Sequence, residues 1–221
     1  MSSPSSKSRG LAHATAEGFT LVELVVSIAI MMLIAAVVIS SQRTSSDQAQ
    51  LRNAAQYFSL DLREAQVFGL SVREFSPNGV SSFTIPYGLH FQVSGQNDQG
   101  KTYIQYADWN PKDGMYSSGI CNPGPTSECI NRVAWPANIG VGPICIIPLS
   151  GANVCSSGAT GPYFVDVTFT RPSPVPSFVI FDRTGGPVST AGIKGLSVML
   201  TMPSGISKTV TIYTTGQISV Q

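Results

Sequence analysis

The chain has 221 residues, 15 Pro, 21 Gly, four Cys and a formal net charge of +1. Charged residues make up only 11%, against roughly 25% in an ordinary soluble protein. That excludes a coiled coil, an acidic disordered chain and a basic nucleic-acid tail. Only His13 and His90 are present, so a His-rich metal site is excluded by counting. The length suits one domain, or one domain plus an appendage.

Residues 1–17 are small and polar, with Lys7 and Arg9 as a basic pair. After Gly18 comes FTLVELVVSIAIMMLIAAVVIS, in which Glu23 is the one charge before Arg43. As a helix, Phe19 to Ile39 would span about 30 Å, enough for a bilayer core. The basic pair precedes the span, so the short N-terminus is expected inside and the rest outside. A secretory signal is cut after its apolar region at a small-x-small site; here the small residue, Gly18, precedes that region. A plain anchor and an uncleaved signal remain as alternatives from hydropathy.

Glu23 weighs against those alternatives. A carboxylate inside an apolar helix costs on the order of 2.5–3.5 kcal/mol on insertion scales, so it calls for a partner. The span supplies no Lys, Arg or His. Cutting between Gly18 and Phe19 would create an amine about one helical turn from Glu23.

The run Gly18-Phe19-Thr20-Leu21-Val22-Glu23 resembles the cleavage and methylation motif of type IV prepilins and type II secretion pseudopilins. The resemblance implies cleavage by prepilin peptidase after Gly18 and N-methylation of Phe19. It further implies a register role for Glu23, whose carboxylate would meet the N-terminal amine of a neighbouring subunit. Implied partners are the peptidase, other pilin or pseudopilin subunits, an inner-membrane assembly platform and lipid. The implied location is the bacterial cytoplasmic membrane, single-pass with the head outside, and then a periplasmic or extracellular filament.

No Pro lies between Phe19 and Pro77. Many members of the family carry a Pro where this chain has Ser40, so a kink there is not required, although paired Ser40 and Ser41 can loosen a helix. From Leu51 onward, Leu51, Ala55, Phe58, Leu62, Ala65, Gly69 and Val72 recur at steps of four and three. That spacing predicts one buried helix face, with Arg52, Gln56, Ser59, Arg63 and Gln66 on the others. This helix resembles that of the GspH/FimT-like minor branch. The expected segments are a cleaved leader 1–18, a membrane and filament-core half 19–42, an amphipathic half 43–76 and a head 77–221.

After Pro77 the period changes to two. Phe83, Ile85, Tyr87, Leu89, Phe91 and Val93 alternate with polar or small residues, as in an amphipathic strand or hairpin. Further strands are expected at Thr102–Ala107, Phe164–Thr170, Phe178–Asp182, Leu196–Met202, Thr209–Thr214 and Gln217–Val220. Short turns without helices between them imply an antiparallel sheet. The predicted class is α+β, with a long N-terminal helix packed on a C-terminal antiparallel head. The ending Gly216-Gln217-Ile218-Ser219-Val220 loosely resembles the close of a GspH/FimT-like head. Residues 108–162 read as a variable insertion.

Cys121, Cys129, Cys145 and Cys155 all fall in that insertion. None has C-x-x-C spacing, which argues against zinc. An extracytoplasmic head favours disulfides. Sequential pairing would close two short loops, though three connectivities exist for four Cys. Asp108, Asn110 and Asp113 sit in a segment with partial likeness to a calcium loop; Lys112 stands where an oxygen ligand is wanted, and no bidentate acid follows. A plain Asp/Asn/Gly turn is the simpler reading.

Catalysis has little support. His13 would leave with the leader, and His90, within the alternating run, reads as a solvent-facing strand residue. No phosphate loop, G-x-S-x-G or H-E-x-x-H occurs. The expected function is therefore a non-enzymatic structural subunit of a type II secretion pseudopilus or type IV pilus. A minor pilin whose head binds DNA or a surface is a second reading. Seven Lys or Arg and six Asp or Glu scattered after Gly79 make a weak footprint for DNA. A membrane-anchored enzyme is the third.

Overall fold

A computed structural model describes residues 18–76, 79, 81–94, 100–117, 121, 127–136, 138–156 and 161–221, with the helix backbone alone at 40–44. The expected leader through residue 17, with Lys7, Arg9 and His13, lies outside the described residues, as do Pro77 and most of the loop between Cys121 and Cys129. The chain divides into two units, Met1–Thr44 and Ser45–Gln221. It is an α+β protein with an apolar N-terminal helix and antiparallel sheets.

Helix α1 spans Leu21–Leu70 and includes Ser40 and Ser41. In the first unit its apolar stretch Leu21–Ile39 has a mean hydropathy of 2.9 and no buried residue. It is long and apolar enough to cross a membrane, a property that signal sequences share.

Among the described residues the second unit holds ten strands: β1 Tyr87–Gln92, β2 Thr102–Ala107, β3 Cys129–Ala134, β4 Gly140–Pro148, β5 Val154–Cys155, β6 Phe164–Thr170, β7 Ser173–Phe181, β8 Ile193–Thr201, β9 Ser207–Tyr213 and β10 Ile218–Val220. They form two five-stranded sheets rather than one. The first runs β3-β2-β1-β6-β7 and the second β10-β9-β8-β4-β5. Every pairing is antiparallel.

One core joins the helix to both sheets. Leu51, Ala55, Phe58, Leu62 and Ala65 are buried, as the 4-3 spacing requires, together with Leu89, Phe91 and Val167 from the first sheet and Ile144, Leu196 and Ile212 from the second. Phe58 is central, its ring 5.2–5.3 Å from those of Phe91, Tyr103 and Trp135. Gly69 is also buried; a Cβ there would overlap the Phe169 backbone carbonyl. Val72 lies past the helix end and is exposed. Ser59, expected on a polar face, is buried and donates its hydroxyl to the Gln56 carbonyl at 2.7 Å.

Described residues within 108–162 contribute to this core. They supply edge strand β3, and β4, which lies inside the second sheet between β8 and β5. Val141, Ile144 and Ile146 of β4 are buried, as are Trp135 and Ile139 before it. Cys121 pairs with Cys129 and Cys145 with Cys155. The first bridge ties the preceding loop to the start of β3; the second joins β4 to β5.

Candidate processing and assembly site

The helix start is shaped by its own sequence. Thr20 precedes the first helical residue, and its Oγ1 accepts the backbone N–H of Glu23 at 3.3 Å. Its carbonyl accepts the N–H of Leu24 at 3.2 Å. Thr20-x-x-Glu23 has the composition of a capping box, and an acid in the first turn suits the positive end of the helix dipole. The spacing of Thr20 and Glu23 is the sequence signal for this cap. Ser27 donates its hydroxyl to the Glu23 carbonyl at 2.7 Å.

Gly18 and Phe19 are exposed, Phe19 by 78%. A Cβ added at Gly18 meets nothing within 4 Å. Nothing described in the chain itself therefore requires glycine there; such a requirement must come from outside. Glu23 is exposed among apolar neighbours, with no cation bonded to it among the described residues. Gly18, Phe19 and Glu23 thus sit together at one helix end, available to a second molecule.

His90, Asp108, Asn110 and Asp113 gather at the outer face of the first sheet, whereas Cys145 and Cys155 lie in the second. His90 is only partly solvent-facing. Its side chain is 22% exposed, and Nδ1 lies 2.9 Å from Asp166 Oδ1 on neighbouring β6. The segment 108–117 straps across this face, so the alternation that buries Leu89 and Phe91 on one side does not free His90 on the other. The His90 and Tyr116 ring centroids are 5.5 Å apart. A Cβ added at Gly88 would meet the Val167 carbonyl at 2.5 Å and the Thr168 methyl at 2.8 Å before reaching the Tyr106 ring.

Three carboxylates hold the strap through its backbone. Asp108 accepts the N–H groups of Asp113 at 3.3 Å and Gly114 at 2.8 Å. Glu128 accepts those of Asn110 at 3.4 Å and Ser117 at 2.8 Å. Asp166 accepts that of Tyr116 at 3.3 Å, and Tyr106 donates its hydroxyl to the Gly114 carbonyl at 2.9 Å. Burial pushes the Asp108 carboxyl up to about 6, with nearby Glu128 adding to the shift. It raises Glu128 too. The Tyr106 hydroxyl stands well above its ordinary range, first through burial and then through the Asp166 and Asp108 charges.

The three residues of the partial calcium-loop likeness are placed as follows. Asp108 spends both oxygens on loop amides, Asn110 is exposed, and Asp113 Oδ1 accepts the Met115 N–H at 3.0 Å. Among the described residues no three His, Cys, Asp or Glu side chains come together as a metal would need. Local sequence could not announce the long-range partners Glu128 and Asp166.

No family model matches the chain, and neither a curated protein nor a solved structure matches it.

Proposed function

We propose that the chain is a pilin-like structural subunit, a pseudopilin or minor pilin. In this reading prepilin peptidase cuts after Gly18, Phe19 is N-methylated, and assembly proceeds through the N-terminal helix. The observation that carries it is Glu23, a lone acid in the first turn of an apolar helix whose side chains from Leu21 to Ile39 are all exposed. An exposed apolar surface of that size needs lipid or other helices around it. The acid among them needs a positive group, and cleavage after Gly18 would supply one four residues away. The steric freedom at Gly18 fits a glycine selected by an enzyme rather than by the fold. A helix stripe packed on antiparallel sheets is compatible with a pilin-like head.

The test is expression in a host with active prepilin peptidase, followed by intact mass and N-terminal peptide analysis. The expected product begins at N-methylated Phe19, and Gly18→Val blocks its formation. A cut beyond Ile39 would mark a secretory signal, and an uncut chain in the membrane a plain anchor; either result overturns the proposal.

A further inference from the structure

The second unit leaves one face of α1 uncovered, and that face carries an ordered charge pattern. At about 100° per residue, Ala49, Leu60 and Val67 lie opposite the buried stripe of Leu51, Phe58 and Leu62. Leu60 is 54% and Val67 60% exposed. Arg52 and Arg63 lie along one shoulder of this ridge; Glu64 lies along the other, while Asp61 beyond it is turned to Tyr103 of β2. Lys208 of β9 adds to the basic shoulder, beside a groove of about 760 Å³ lined by Gln48, Arg52, Gln56 and Ile206. Neither Arg52 nor Lys208 has an acidic partner among the described residues.

We infer that this ridge is a lateral contact with a second copy of the same chain, in parallel orientation. The sign pattern selects the orientation. When two copies face each other through the ridge and run parallel, the basic shoulder of one meets the acidic shoulder of the other. If they run antiparallel, basic meets basic and acidic meets acidic. Flanking charges choose partners and direction in this way in helix pairs. Arg63 and Glu64 are adjacent along the helix, so copies in near register bring them together. Leu60 and Val67 supply the apolar centre, and the charges supply orientation more than affinity. The inference rests on the filament-subunit reading for why copies meet at all, since membrane insertion gives every copy the same direction.

The experiment uses the full chain in membranes, with Leu60 replaced by a benzophenone photocrosslinking amino acid. The expected result is a crosslinked dimer of this chain. Glu64→Lys alone, or Arg52→Glu with Arg63→Glu, should reduce it about fivefold. Combining all three reversals should restore it, which also guards against simple misfolding. Crosslinks indifferent to the reversals, or formed only to a different protein, overturn the inference. Filament incorporation is scored in the same cells. Filaments without the crosslink sink this contact alone; the crosslink without filaments or processing sinks the filament reading alone; absence of both sinks both.

Discussion

Tyr103 on β2 donates its hydroxyl to Asp61 of α1 at 2.5 Å, tying the first sheet to the helix. Burial raises the Asp61 carboxyl above its ordinary value, and the Tyr103 bond pulls it partly back. Tyr103→Phe should therefore destabilise the second unit by about 1–2 kcal/mol at pH 7. The sign with pH follows from the raised carboxyl. Folding then favours the protonated acid, so the ionised form is a cost that fades as pH falls through the folded pKa. The deficit of the variant should shrink towards pH 4. Denaturant melts at several pH values read it, and a deficit that grows on acidification would refute it.

Gly69 tests the packing of the last helical turn. Alanine is the better helix former by about 1 kcal/mol, yet its Cβ would overlap the Phe169 carbonyl, a backbone atom with little room to move. Overpacking of this kind costs about 1–3 kcal/mol. Gly69→Ala should be net destabilising by about 1 kcal/mol and Gly69→Val more so. A stabilised alanine variant in thermal melts would show that the helix end shifts freely.

The sequence made some of this head legible and concealed the rest for physical reasons. Thr102–Ala107 and Phe164–Thr170 appear with the expected bounds. The strand β4 went unread because Gly140-Val141-Gly142-Pro143 carries turn signals, and a register shift between Val141 and Ile144 breaks the period of two. The first half of β7 was missed because Pro174 and Pro176 argue against a strand; β7 lies at a sheet edge, where proline is tolerated. His90 was read as open because alternation reports which face a residue is on, not whether a distant strap covers that face. The helix start was legible as a motif, yet its cap was overlooked behind the more conspicuous acid.

The two bridges should contribute separately. Each closes a loop of about ten residues, worth about 2–3 kcal/mol by chain entropy. Replacing Cys145 and Cys155 by Ala should lower stability throughout the second sheet, because β4 lies inside it. Replacing Cys121 and Cys129 should loosen mainly the 108–117 strap and β3. Hydrogen exchange by peptide distinguishes them, and identical exchange maps for the two double variants would contradict the division.

Asp108 gives the clearest pH signature. With its carboxyl pushed up to about 6, the folded chain holds that proton more tightly than the unfolded chain. The resulting stabilisation is fully present below the unfolded value near pH 4 and is lost as pH rises through about 6. A carboxyl-carbon NMR titration should show Asp108 ionising near pH 6. Titration at the ordinary aspartate value would mean that the strap is open to water.

The helix start allows the proposed role of Glu23 in assembly to be separated from its place in the cap. The capping hydrogen bond runs from the backbone N–H of Glu23 to the hydroxyl of Thr20. Glu23→Ala therefore keeps that bond while removing the carboxylate, and Thr20→Ala removes the bond while keeping the carboxylate. Loss of a threonine cap costs about 1 kcal/mol, spent on fraying of the first turn. Loss of the carboxylate leaves helix and insertion intact and removes the group that an N-terminal amine would meet. Apolar helices surrounded by equally apolar neighbours have little to fix their axial register. A single charge pair near the helix start penalises every offset but one, even where desolvation cancels much of its net stabilisation. Under the proposed function, Glu23→Ala should be processed normally yet fall at least about tenfold in filament incorporation, the loss expected for about 1.4 kcal/mol. Glu23→Gln should be intermediate, retaining a hydrogen bond without the charge, and Thr20→Ala should remain within about threefold of the parent. Fractionation of processed protein between membrane and filament provides the measurement. Equal defects in Thr20→Ala and Glu23→Ala would assign both residues to the helix start alone, and undiminished incorporation of Glu23→Ala would end the register mechanism.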